Sequence, residues 1–245
     1  MLRYMNLDTL LIDNYSRLAS CSFKEEIIQF LSQKDSVSDM SVLFIKALTK
    51  ASTHILNTDT DSLDNFLERI YSFNMEGVSK IRNSDEHKFT LDRKAIIESH
   101  FQSHASRVAE AIYNKTNNLN WIIKSYDAKI LSADLSINIQ PKHAAHSYSL
   151  AADLAKELFE KTQDASWLIK CYLCRIESGK LSEKFNKKHS AHSYSFAGNA
   201  AKELFELTQD DHWKNMAIEA YQKFLNYYFQ KPNPKIKKLA QKIGS

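Results

Sequence analysis

The sequence predicts an all-α fold, in which antiparallel helix hairpins follow one another as an α-solenoid with a period of 46 residues. Three observations carry that expectation. Trp121, Trp167 and Trp213 lie 46 residues apart. The windows 142–167 and 188–213 share 18 of 26 residues, and an older copy keeps the same phase at His100/His146/His192, Ser103/Ser149/Ser195, Ala105/Ala151/Ala197, Ala109/Ala155/Ala201 and Thr116/Thr162/Thr208. Finally, the 245 residues include only 4 Gly and 3 Pro, so the punctuation that β hairpins need is missing. Self-similarity at a spacing of roughly 20 to 50 residues marks stacked supersecondary units, which bury their apolar faces on each other and leave a continuous surface for a partner.

Residues 1–90 read as an N-terminal helical region or capping domain outside this phase. Ser22 and Glu25 fit a capping box opening a helix through Leu31, because a serine hydroxyl and a carboxylate three residues on can satisfy each other's amides. Met40, Leu43, Phe44, Ala47, Leu48, Ala51 and Ile55 recur at helical spacing, as do Leu63, Phe66, Leu67, Ile70 and Tyr71, with a turn at 58–62 between them. The polar run 82–88 is the boundary. Residues 91–230 then form three hairpins, at about 91–138, 139–184 and 185–230. In each, a first helix of about 20 residues ends near Thr116, Thr162 or Thr208. Asn118, Asp164 or Asp210 caps the next helix, which opens at the tryptophan. Pro141 suits a first helical turn, and Pro232 and Pro234 stop the last long helix. Residues 231–245 form a basic tail or capping helix.

Composition narrows the function. The net charge is +4, but the tail holds five lysines and no acid; without them 28 basic residues face 29 acidic ones, a net charge of −1. Such a body supplies no broad field for nucleic acid, so attraction to phosphate would rest on the tail or a local patch. No stretch nears the roughly 18 apolar residues of a membrane helix. With three cysteines (Cys21, Cys171, Cys174) and acids interrupting the apolar start, a reducing, cytoplasmic setting is expected.

Ala217, Tyr221 and Leu225, followed by Pro232, resemble the small, aromatic and apolar positions of the second helix of a tetratricopeptide repeat, and the preceding LFELTQD resembles that family's turn. The likeness covers about 142–232, with a period longer than the family's roughly 34 residues; by length a HEAT-like helix-pair array fits as well. Either resemblance implies a non-catalytic scaffold for a protein or peptide partner, without cofactor. The expected contact residues are His100, Arg107, His146, Ser149, Asp153, His192, Ser195 and Asn199, which form a stripe opposite the alanine face, with a constant His and Ser and a varying third member. A solvated face with histidines at contacts between repeats would look the same. Self-association through end faces is a further expectation.

Two constellations suggest chemistry. His143-x-x-His146 and Cys171-x-x-Cys174 have zinc-like spacing, but Cys171 stands in register with Ser125 and Ala217, and Cys174 with Ala128 and Ala220, the pattern of small buried residues; no metal is expected. Arg82, Asn83 and His87 match the R-[NDH]-x-x-x-H signature of the HEPN superfamily, and KFTLD after them is similar to stretches that follow it. That resemblance implies the alternative function, a metal-independent ribonuclease or RNA-binding protein. Arg82 would steady the phosphate, Asn83 orient the site, and His87 act as general acid or base. The same residues equally suit a polar loop between helices.

Overall fold

A computed structural model describes residues 90–228 together with Glu68, Tyr71, Ser72, Asn74, Met75, Val78, Ser79, Arg82 and Asn83. The capping box at Ser22, the helices expected before residue 68, Cys21, His87, and the tail with Pro232 and Pro234 lie outside them. Among the described residues the protein is all-helical. Six helices follow in order: α1 (Leu91–Thr116), α2 (Leu119–Ser136), α3 (Pro141–Thr162), α4 (Ala165–Ser182), α5 (Lys187–Thr208) and α6 (Asp211–Tyr228). None of them is long and apolar enough to cross a membrane.

The short turns within each helix pair explain why these residues stop and restart a helix where they do. Thr116, Thr162 and Thr208 donate their hydroxyls to the carbonyls of Ile112, Leu158 and Leu204, at 2.9, 2.7 and 2.7 Å. The same oxygens accept the amides of Asn118, Asp164 and Asp210. Asn117, Gln163 and Gln209 take the left-handed conformation that ends a helix. Asn118, Asp164 and Asp210 then accept from the amides two residues on, at 2.9 to 3.0 Å. Because a cap of this kind starts the helix at the very next residue, the second helices open at Leu119, Ala165 and Asp211, two residues before each tryptophan rather than at it. Pro141 is the first residue of α3, where its missing amide proton costs nothing.

The chain divides into two compact units, residues 1–140 and 141–245. In the first, α1 packs on α2, and earlier residues join them. Tyr71 meets the edge of Trp121 at 5.2 Å, and the Arg82 guanidinium reaches the buried Glu98 carboxylate, with Nε 2.6 Å from Oε1. In the second unit α3 packs on α4, α4 on α5 and α5 on α6.

Small residues make those contacts close. Ala105 and Ala109 in α1, Ala151 and Ala155 in α3, and Ala197 and Ala201 in α5 are completely buried. Large residues fill what remains: Phe101, Ile112 and Ile122 in the first unit, Leu158, Leu168, Tyr194 and Leu204 in the second. Cys171 and Cys174 are buried in α4, and burial pushes the Cys171 thiol up to about 11, so it packs as a small apolar side chain. Gly179 in α4 lies directly under the buried Tyr194 ring of α5; an added Cβ would sit 3.0 Å from it. Tyr194 cannot swing away, since its hydroxyl donates to Glu183 at 2.5 Å. Gly179→Ala should therefore lower stability by about 1 to 3 kcal/mol through overpacking, despite the ~1 kcal/mol that alanine contributes in helix propensity; thermal denaturation of both proteins checks this, and an unchanged or raised Tm contradicts the packing described.

Candidate partner-binding site

Serine is the commonest polar residue between paired helices, and each buried hydroxyl there needs a partner. In the first unit the Ser99 hydroxyl donates to the Ser132 carbonyl at 2.9 Å, and Ser106 and Ser125 share a 2.8 Å hydrogen bond. In the second, the Ser178 hydroxyl donates to the Ala145 carbonyl at 2.8 Å, and Ser190 donates to the Gly179 carbonyl at 3.0 Å.

Longer polar chains from the second helix of each pair reach back to the first. Lys129, only 1% exposed, donates to the carbonyl and hydroxyl of Ser103, at 3.4 and 3.2 Å. Arg175, also buried, donates to the Ser149 hydroxyl at 2.7 Å and pairs with the Asp153 carboxylate. Tyr221 donates to Asn199 Oδ1 at 2.7 Å. Lys129, Arg175 and Tyr221 stand in the same register, 46 residues apart.

This geometry changes how the expected contact stripe reads. Ser149 is buried and engaged by Arg175, while Asp153 and Asn199 face solvent on one side and hold their helix partners on the other. Their variation follows that of Arg175 and Tyr221, a coupling visible only when the second helices are aligned as well. Arg107 is exposed on α1 and His100 half-buried there. The remaining residues line two adjoining clefts in the second unit, His146 in one and His192 and Ser195 in the other.

There, the first turns of α3 and α5 flank the four-residue connection from Glu183 to Asn186 that follows α4. One cleft, of about 330 Å³, is lined by Lys142, Ala145, His146, Phe185, Asn186 and His189. A second, of about 430 Å³, is lined by Asn186, Lys188, His189, His192, Ser195, Phe224 and Tyr228. Both open to solvent, and Asn186 and His189 belong to both. Asn186 caps α5 by accepting from the His189 amide at 3.0 Å, and the His189 ring Nε2 lies 3.1 Å from the Ser178 hydroxyl. Burial, then the nearby His146, His192 and Arg175, hold the His189 imidazole below its usual range. His192 and Arg175 both lie against Phe196, at 4.5 and 4.7 Å. His189 is not among the expected contact residues; what selects it is its place beside Asn186, whose side chain caps α5 and which lines both clefts with it.

Among the described residues no three of His, Cys, Asp and Glu are gathered as a metal site. Of the ribonuclease-like motif, Arg82 is bound to Glu98 and the Asn83 amide donates to the Ser79 carbonyl at 3.1 Å.

No family model and no curated protein matches the sequence. Among solved structures, a chain of the DHF58 filament superposes with a TM-score of 0.54 at 11% identity, over 83% of this chain and 99% of that one. At that identity the likeness speaks for the helical fold alone.

Two outcomes follow from the buried cations. Burial, reinforced by Arg107, lowers Lys129 to about 8, while Glu110 acts the other way. Below pH 8 the lysine is charged in both the folded and the unfolded chain, and the folded state bears the full cost of burying that charge, on the order of 3 kcal/mol. Between about 8 and the ordinary lysine value of 10.5, the folded protein sheds the proton while the unfolded chain keeps it, so stability rises with pH. Urea titrations from pH 7 to 10.5 should show the stability difference between the native protein and Lys129→Met shifting toward the native protein across this window; a difference independent of pH contradicts the assignment. Asp153→Ala leaves the Arg175 guanidinium hidden with one partner fewer, and should lower stability by about 2 kcal/mol. An unchanged Tm would return Asp153 to the role of a surface residue only.

Proposed function

We propose that this protein is a non-catalytic scaffold, a TPR-like α-solenoid whose stacked hairpins hold a protein partner. One observation supports it above the others: positions 46 residues apart make the same buried contacts. Ser99 meets Ser132 as Ala145 meets Ser178, and Lys129 meets Ser103 as Arg175 meets Ser149. When successive pairs keep their internal contacts, variation is left to the outward surface, and stacked arrays of this kind use that surface for binding. The second unit carries open clefts, lined by residues of several helices, where such a partner fits. For the ribonuclease reading no comparable support exists, since a phosphate at Arg82 would have to compete with Glu98.

The full chain, immobilised and exposed to native lysate treated with nuclease, should retain a protein in stoichiometric amount, identified by mass spectrometry. Incubated with total RNA in EDTA, it should leave the RNA intact. RNA cleavage that Arg82→Ala abolishes would replace this reading with the nucleolytic one. Recovery of no protein, or of this chain alone with matching light scattering, would replace it with none or with self-assembly.

A further inference from the structure

Ten of the eleven lining positions of the two clefts are polar or aromatic, and among the described residues no Asp or Glu lines either cleft. The lysines and histidines come from two helices: Lys142 and His146 from α3, Lys188, His189 and His192 from α5. Two acids of the second unit have partners within the protein. Asp153 pairs with Arg175 of α4, and Glu183 accepts from Tyr194. Phe185 lies under the Lys142 ammonium at 5.8 Å, while Phe224 and Tyr228 of α6, with ring centroids 5.2 Å apart, floor the second cleft. Two lysines and three histidines thus line two adjoining recesses that also hold aromatic side chains.

We propose that these joined clefts bind an acidic peptide segment, with carboxylates of the segment placed toward Lys142 and His146 in one cleft and Lys188 and His192 in the other, and an apolar side chain on Phe224 and Tyr228. This rests on the scaffold reading and names the partner's chemistry. Charge complementarity selects the occupant. An extended acidic peptide needs only local cations, whereas a nucleic acid needs a positive field along its whole backbone. Outside the terminal lysines the chain has a net charge of −1 and offers no such field. The polar side chains of Asn186 and Ser195 stand beside the cations, where a peptide backbone would pass. The recesses are the size of side chains and open at the top, which suits a segment lying across them.

The test uses the full chain and three fluorescein-labelled probes of equal length, hexaglutamate, hexalysine and hexauridylate, followed by fluorescence anisotropy. Hexaglutamate should bind, weaken as salt is raised, and lose roughly tenfold or more in affinity with Lys142→Glu together with Lys188→Glu. Lys161→Glu, on the exposed far end of α3, should leave binding unchanged. Circular dichroism identical to the native protein's confirms that the double variant is folded; should it not be, Lys142→Gln with Lys188→Gln takes its place, with the same expected direction. Failure of hexaglutamate to bind, equal binding by the double variant, or tighter cleft-dependent binding of hexauridylate overturns the proposal, the last in favour of a nucleic-acid surface. A partner protein still retained by the double variant would overturn the cleft assignment and leave the scaffold standing; no partner retained by the native chain would remove the scaffold itself.

Discussion

Close approach between paired helices, permitted by a line of alanine and serine, is the constraint on which everything else in this protein hangs. With Ala105, Ala109, Ala151, Ala155, Ala197 and Ala201 wholly buried, backbones come near enough that a short hydroxyl on one helix reaches a carbonyl on the next. Ser99, Ser178 and Ser190 do so. Each such bond satisfies a group that would otherwise be desolvated and unpaired, a cost well above the modest net gain of the bond itself. A larger side chain at these positions would part the helices and strand the hydroxyls together, so size and polarity are coupled in the seam.

The same closeness determines what the long polar residues can do. Lys129 and Arg175 cannot extend to water past a tightly packed neighbour, so they lie along the seam and end on Ser103, Ser149 and Asp153. The two cases differ in their electrostatics. Arg175 meets a carboxylate and is held as an ion pair, whereas the Lys129 ammonium ends on neutral oxygens and is lowered by burial and then by the like charge of Arg107, with Glu110 acting the other way. The seam ends at the connection between α4 and α5, where the His189 ring still meets the Ser178 hydroxyl of α4. Lys142, Lys188 and three histidines line open recesses there.

Much of this was legible in the residues. The 46-residue phase located the three short turns, because threonine, a residue tolerating the left-handed conformation, and a capping Asn or Asp form a purely local bonding pattern that a sequence writes in consecutive letters. The pairing of Cys171 and Cys174 with small residues in other copies likewise pointed to burial, since volume at a packed position leaves its mark on every copy. The contact stripe was only partly legible. Periodicity separates one helix face from the other, but it cannot tell a face turned to water from one turned to a polar neighbour. Ser149, Asp153 and Asn199 therefore looked like surface residues until Arg175 and Tyr221 were seen across from them.

By itself, the sequence determined that the described residues are helical, where the short turns between paired helices fall, and which small residues the helices bury. These are properties of neighbours along the backbone and of volume repeated at a fixed spacing. Tertiary structure alone decided that Lys129 and Arg175 lie inside, that Gly179 makes room for Tyr194, and that His146, His189 and His192 line adjoining recesses. Those outcomes depend on which helix faces which and at what distance, and no order of residues along one strand of chain states a distance between two.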